Sequence, residues 1–352
     1  MSGTGTENYN AARRLIEASG RILVSGHLSP DGDSLGCMIA LARMLRAAGR
    51  AAFATADLNA LGKLGFLEGV ADIVPLRRLK RQRYDLLVSV DCGVASRLPP
   101  EVRPFAERLP VLCIDHHITG DESFGTAKVV DPEASSAGEI VWRLAKWMEW
   151  PIDAATAEAL WVALVTDTGR FAYDSTRPGT MRAAGDLLKR GVRTALVNDI
   201  IYGTFSRKAI ELKRIAWRSL HVWKNRRVAE VSVTRDDFRA VRGTKADVED
   251  VIEIPRSVAR NEIALFFYQI PDRTKETRCS IRTRGDWDAT VLAAKFGGGG
   301  HRKAAGCTIT APMGAAKRMM RAAVKDLMKN AGRKAAKPPA PPAEEQPPPA
   351  TP

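Results

Sequence analysis

The sequence predicts an α/β protein: a parallel, doubly wound sheet in an N-terminal domain, followed by a smaller α/β C-terminal domain with a mixed sheet. Three observations carry this. Short apolar runs alternate with helical patterns from about residue 9 to 191, which is the signature of strands joined by crossover helices. The pattern turns polar over 192–215, a stretch that reads as a connector, and then restarts over 216–330 with alternating strand patterns. At several of the early strand ends the apolar run stops directly on aspartate or histidine.

Taken in order, residues 1–8 are small and polar and read as unordered. RILVSG (Arg21 to Gly26) is the first strand candidate, and CMIALARMLRAAG is the helix after it. RAAFATA, YDLLVSV and VLCI are the next strand candidates, and SSAGEIVWRLAKWME is a helix. TAEALWVALVTDTG (Thr156 to Gly169) is apolar on a helical period, and TRPGTMRAAGDLLKRG closes on Gly191 as a helix ends. In the second part, RRVAEVSVT, NEIALFFYQI and TRCSIRTR read as strands. DWDATVLAAKF reads as a helix, and the glycine run before CTITA as a loop. Residues 331–352 hold eight of the chain's twenty prolines and read as a disordered tail.

Composition bounds the function. No uncharged apolar run approaches the roughly 18 residues of a membrane span, and the N-terminus has no apolar core of a secretory signal. The expectation is a cytoplasmic protein. The five cysteines (Cys37, Cys92, Cys113, Cys279 and Cys307) are widely spaced with no C-x-x-C. That argues against a disulfide framework or a zinc ribbon and for reduced thiols. A formal net charge of +14 favours anionic, phosphate-bearing substrates. The basic run Arg77 to Arg83 reads as a solvated face and is assigned no site.

The chemistry concentrates at strand ends. RILVSG runs into His27, Asp31 and Asp33; LLVSV into Asp91; VLCI into Asp115, His116 and His117. In an open parallel sheet the carboxyl ends of the strands share one crevice, so these side chains converge there. A lone aspartate after a strand is commonly a helix cap. The coincidence is what argues for metal, because three of only five histidines lie in two of these clusters. Aspartate and histidine together suit Mn²⁺ or a similar divalent ion. Several carboxylates would repel one another around one ion, and two ions about 3.5–4 Å apart with a bridging carboxylate would neutralise them. Asp167, in LVTDTGRF, is a fourth contributor. In the second part, FGGGGHRKAAG (Phe296 to Gly306) offers close backbone approach and N–H groups for an anion. His301 and Arg302 follow it, and Arg282 in SIRTR is a second anion-binding candidate.

HLSPDGDSLG, VDCG, IDHH and TDTGRF, in that order, resemble the four motifs of the DHH phosphoesterase superfamily. FGGGGHRKAAG resembles the signature of its associated C-terminal domain. The compact size and short connector resemble the bifunctional oligoribonuclease and pAp phosphatase type, the nano-RNases. The resemblance covers about residues 10–330. It implies that His27 and Asp31 bind one metal, that Asp33, His116 and Asp167 bind the other, and that Asp91 bridges them. Asp115 would orient the histidines, and His117 would face the substrate phosphate. Arg282, Gly298, Gly299, Gly300 and His301 would grip the nucleotide. The implied reaction is hydrolysis of phosphoesters by a water activated between two Mn²⁺ ions. Its substrates would be RNA of a few nucleotides and 3′-phosphoadenosine 5′-phosphate (pAp), held in a cleft between the domains, in a chain that pairs as a homodimer. Motif II has cysteine (Cys92) where many relatives carry an alcohol or alanine, and Thr283 stands where relatives often have serine; neither removes a ligand. The alternatives are a phosphodiesterase of cyclic or linear dinucleotides and a nucleotide-binding module without catalysis.

Overall fold

The protein is described from a computed structural model covering residues 3–117, 120–269 and 275–335. It divides into two compact units, Met1–Thr204 and Phe205–Pro352.

The first unit opens on helix α1 (Gly3–Glu17), so the structure starts inside the stretch expected to be unordered. The reason is a stripe at helical spacing: Tyr9, Ala12 and Ile16 are buried, and the Tyr9 ring lies 5.5 Å from that of Trp147. Strand β1 (Arg21–Ser25), helix α2 (Gly32–Ala47) and strand β2 (Ala51–Ala56) follow. Next come β3 (Val74–Pro75), β4 (Leu86–Val90), the short α3 (Arg103–Ala106), β5 (Val111–Asp115) and β6 (Ala127–Val130). Helices α4 (Ala137–Trp147), α5 (Ala154–Asp167), α6 (Pro178–Leu188) and α7 (Thr194–Asn198) complete the unit.

All six strands are parallel, in the order β3-β2-β1-β4-β5-β6. The chain reverses its direction of growth between β1 and β4, and a sheet of this order opens its ligand crevice there. β4 and β5 are buried at every residue because both faces of the sheet are covered. α2 is buried nearly all round, lying against β1, β2, α4 and α5. Its first turn is therefore fixed at the crevice.

The second unit begins earlier than the expected residue 216. The region read as a connector holds α7 and a π-helical turn, Asp199–Gly203, and then helix α8 (Arg207–Arg218). α8 buries only Ala209, Leu212 and Ala216, a narrow stripe in a polar sequence. Strands β7 (His221–Trp223) and β8 (Val228–Val233), helices α9 (Arg235–Val241) and α10 (Glu253–Arg256), and strands β9 (Ile263–Tyr268) and β10 (Thr277–Thr283) come next. Helix α11 (Ala289–Ala294), strands β11 (Gly299–His301) and β12 (Ala304–Ile309), and helix α12 (Met313–Ala335) end the description. The expected tail lies mostly in 336–352, outside the described residues; 331–335 continue α12.

The sheet order is β11-β12-β10-β9-β8-β7, antiparallel except for the parallel β8–β9 pair. β9 serves both faces. Ile263, Leu265 and Phe267 join one core, and Ala264, Phe266 and Tyr268 join the other. Among the described residues, no helix is long and apolar enough to cross a membrane.

One buried charge ties α12 to this sheet. Glu230 on β8 is fully buried and accepts two bonds from Arg321, at 2.9 and 2.6 Å, with Lys317 Nζ 3.9 Å away. Removing the arginine strands a carboxylate in the core. Arg321→Ala is expected to destabilise the second unit by about 3 kcal/mol, read by urea denaturation; an unchanged midpoint would show that Lys317 alone compensates Glu230.

Candidate metal centre

β1, β4 and β5 end side by side, and their following residues form one cluster. Asp31 caps α2 by accepting from Ser34 N at 3.0 Å through Oδ1, while its Oδ2 lies 3.8 Å from His27 Nε2. It therefore acts both as a cap and as a donor to the cluster. Asp33 sits in the first turn of α2 and is buried. Asp91 follows β4, and Asp115 is the last residue of β5, with His116 and His117 after it. Asp167 ends α5.

Asp91 is the centre of this arrangement. Its Oδ2 lies 3.4 Å from His27 Nε2, and its Oδ1 lies 3.7 Å from His116 Nε2 and 3.5 Å from His117 Nδ1. Its backbone is left-handed, φ 55°, a conformation that costs energy in a non-glycine residue. The Asp91 N–H donates to Ile114 O at 2.8 Å, which pins that turn to β5.

Two donor sets stand out. In one, ligand atoms of His27, Asp31 and Asp91 lie within 4.8 Å of one another; in the other, those of Asp33, His116 and Asp167 do. In the second set His116 Nε2 is 3.7 Å from Asp33 Oδ2 and 3.4 Å from Asp167 Oδ2.

Asp115 belongs to a further group, with a carboxylate oxygen within 4.8 Å of ligand atoms of Asp91, His116 and His117. Its Oδ1 accepts from the backbone of His116 (2.8 Å) and His117 (3.2 Å) and contacts His117 Nδ1 at 2.7 Å. Its Oδ2 is buried without a hydrogen-bond partner among the described residues, and a Cβ on Gly93 would come within 2.5 Å of it. The glycine after Cys92 is thus needed for space.

The sequence did not reveal what holds Asp33. Its two oxygens accept from the backbone N–H groups of Ala137 (2.7 Å) and Gly138 (2.9 Å), the free amides at the start of α4. Ser136 caps that helix, and the buried Glu139 accepts from Ser135 and Thr180 beside it. The S-x-x-E spacing of Ser136 and Glu139 is a helix-start signal that could have been read. Its contact with Asp33, a hundred residues away, could not.

The electrostatics fit cations. Burial, then repulsion from Asp167, pushes Asp33 up to about 7. Burial and the neighbouring aspartates raise Asp91 and Asp167 well above the carboxylate range. Burial lowers His116, favouring the neutral ring that a metal needs. Carboxylates this crowded do not all ionise unless positive charge is brought to them, and a mixed oxygen and imidazole donor set suits divalent ions of the Mn²⁺ kind. The residues therefore fit divalent metal.

A pH dependence follows. A carboxyl raised from 3.8 to about 7 adds stability that is complete below the unfolded value and lost as pH rises through 7. In EDTA, melting temperature is expected to fall by several degrees between pH 5 and pH 7 and to level off above that, and Mn²⁺ should abolish the fall. A flat profile in EDTA would contradict this assignment.

The second unit places the other candidates. Ala304 on β12 pairs with Arg282 on β10 and with His301 on β11. Directly opposed residues share a face, so Arg282 and His301 flank a small alanine. The glycine run is not the expected loop, because Gly299–His301 is an edge strand. Nor are all its N–H groups free: that of Gly298 donates to Ala293 O at 3.0 Å, closing α11.

Residues 21–164 match the DHH family, N-terminal domain, and residues 240–335 match the DHHA1 domain. A bifunctional oligoribonuclease and PAP phosphatase NrnA of Thermus thermophilus is 30% identical over 308 residues, covering 85% of this chain and 87% of that protein. A cyclic-di-AMP phosphodiesterase GdpP of Geobacillus thermodenitrificans is 25% identical, over 90% of this chain and 49% of its own length. The crystal structure of an exopolyphosphatase-related protein from Bacteroides fragilis superposes with a TM-score of 0.83 at 24% identity, covering 91% of this chain and 96% of that one.

Proposed function

This chain belongs to the DHH family of metal-dependent phosphoester hydrolases, and we propose that it cleaves short oligoribonucleotides to mononucleotides and removes the 3′-phosphate of pAp. The observation that carries the proposal is Asp91, one carboxylate oxygen toward His27 and the other toward His116, at the meeting of two donor sets. The NrnA relative, matched over most of both chains, supports the substrate class.

In this reading His27, Asp31 and Asp91 would hold one divalent cation, and Asp33, His116 and Asp167 would hold a second, with Asp91 placed to serve both. Bound divalent cations supply acidified water and charge neutralisation for phosphoryl oxygens. The chain's own residues fix the geometry. The Ala137 and Gly138 amides hold both oxygens of Asp33 in place. Asp115 Oδ1 accepts a hydrogen bond from His117 Nδ1, which orients the ring for its assigned role at a phosphoryl oxygen. No serine, cysteine or threonine is needed as a nucleophile, because water fills that role. Arg282, His301 and the Gly298–Gly300 backbone are assigned the grip on the substrate's terminal end, which favours short substrates.

The relation to the GdpP protein favours a second reading, hydrolysis of cyclic or linear dinucleotides. Turnover of pAp, an RNA dinucleotide, a five-mer, a twenty-four-mer and cyclic di-AMP with Mn²⁺ separates the two. Phosphate from pAp and mononucleotides from the shortest RNAs are expected. Cleavage of the cyclic compound alone would move the function to the second reading.

A further inference from the structure

We infer that Cys279 and Cys307 are a redox modification site: hydrogen peroxide joins them in a reversible disulfide beneath the glycine-rich segment of the second unit. The two residues are direct partners across antiparallel strands β10 and β12. Thr283 N–H donates to Lys303 O at 3.0 Å in the same register, four residues along, so Cys279 and Cys307 also form a hydrogen-bonded pair. Such pairs set their Cα atoms about 5.5 Å apart, inside the roughly 4.4–6.8 Å that a disulfide spans. Both side chains point to the same core, beside Ile281, Ala305 and Ile309.

Selectivity follows from access. All five cysteines are free and buried, but Cys307 is the most exposed of them at 7%, against 1% for Cys279. Both border a cavity of about 430 Å³ with Phe296, Gly297, Gly298 and Gly299. The neighbouring Cys279 thiol holds the Cys307 pKa below the ordinary value, which favours the nucleophilic thiolate.

The chemistry balances. The Cys307 thiolate attacks a peroxide oxygen; an S–O bond forms, the O–O bond breaks, and hydroxide leaves and is protonated to water. The Cys279 sulfur then attacks the Cys307 sulfur; the S–S bond forms, the S–O bond breaks, and the leaving hydroxide takes the Cys279 proton. Two thiols lose two electrons, and peroxide becomes two waters. Closing the two sulfurs to the roughly 2 Å of an S–S bond moves both side chains, and small thiols reverse the link by thiol–disulfide exchange.

Its consequence rests on the function proposed above. Gly298 lies so close over Cys307 that an added Cβ would be 2.5 Å from the Cys307 Cβ. Movement of Cys307 is passed to the segment assigned to grip substrate. The oxidised form is expected to show a KM for pAp raised about tenfold with a smaller change in kcat, the pattern of lost substrate binding.

The test treats the full chain with Mn²⁺ and hydrogen peroxide and maps tryptic peptides by mass spectrometry before and after dithiothreitol. A Cys279–Cys307 linked pair, cleaved by the thiol and absent in Cys279→Ala and in Cys307→Ala, is the expected result. Cys307 reaching sulfinic acid without a link, or oxidation confined to other cysteines, would overturn the site. A linked protein with unchanged KM would overturn its coupling to substrate. Failure to hydrolyse pAp before oxidation would count against the function alone, since the link is read independently by mass.

Discussion

Asp91→Asn is expected to lower kcat on pAp by at least about 10³-fold while leaving the fold intact. The residue is 2% exposed, and its two oxygens face different histidines. The amide keeps the volume but loses the charge and offers only one oxygen, so the shared position between the two donor sets is lost. Stability should not fall in metal-free protein, because burial and four neighbouring aspartates already penalise the Asp91 charge; neutralising it relieves that repulsion. Circular dichroism and melting in EDTA, alongside turnover in Mn²⁺, check both halves. Near-normal turnover in a folded variant would remove Asp91 from the reaction.

His117→Ala is expected to cut kcat by about 10²–10³-fold without loss of metal affinity. The ring is held by Asp115 through Nδ1 at 2.7 Å; it belongs to neither the His27–Asp31–Asp91 nor the Asp33–His116–Asp167 set, although a ring nitrogen lies within 4.8 Å of ligand atoms of Asp91, Asp115 and His116. Its assigned task is at the phosphoryl oxygen, so its loss should appear in kcat more than in the Mn²⁺ titration. A large drop in Mn²⁺ affinity with kcat restored at high metal would make His117 a ligand instead. His117→Asn, which keeps a donor, should fall between the two.

These expectations trace back to what was readable in the residues. β1, β4 and β5 were legible because a sheet covered on both faces needs unbroken apolar strands, and each strand ends at its polar cluster. β3, β7 and β11 were not, being two- or three-residue edge strands with too few positions to show a period. α8 was hidden because its buried stripe, Ala209, Leu212 and Ala216, is narrow and mostly small, and α1 because small polar residues lead into its apolar stripe. In the cluster, every residue singled out in the first unit comes to one crevice. Its supports stayed invisible: the amides of α4 reach Asp33 only through tertiary folding, and the left-handed turn at Asp91 has no signal in an aspartate. In the second unit, chemistry favoured a glycine loop with free N–H groups. Backbone pairing of β11 with β12 and the closing bond of α11 claim part of that run.

The measurement that tests the central claim most directly is a paired titration of EDTA-stripped protein with Mn²⁺, following bound metal by calorimetry and pAp hydrolysis in the same samples. The account predicts no turnover without metal, two ions bound per chain, and activity rising as the second site fills. Hydrolysis that survives chelation, or full activity with no metal bound by the His27 and His116 sets, would contradict it.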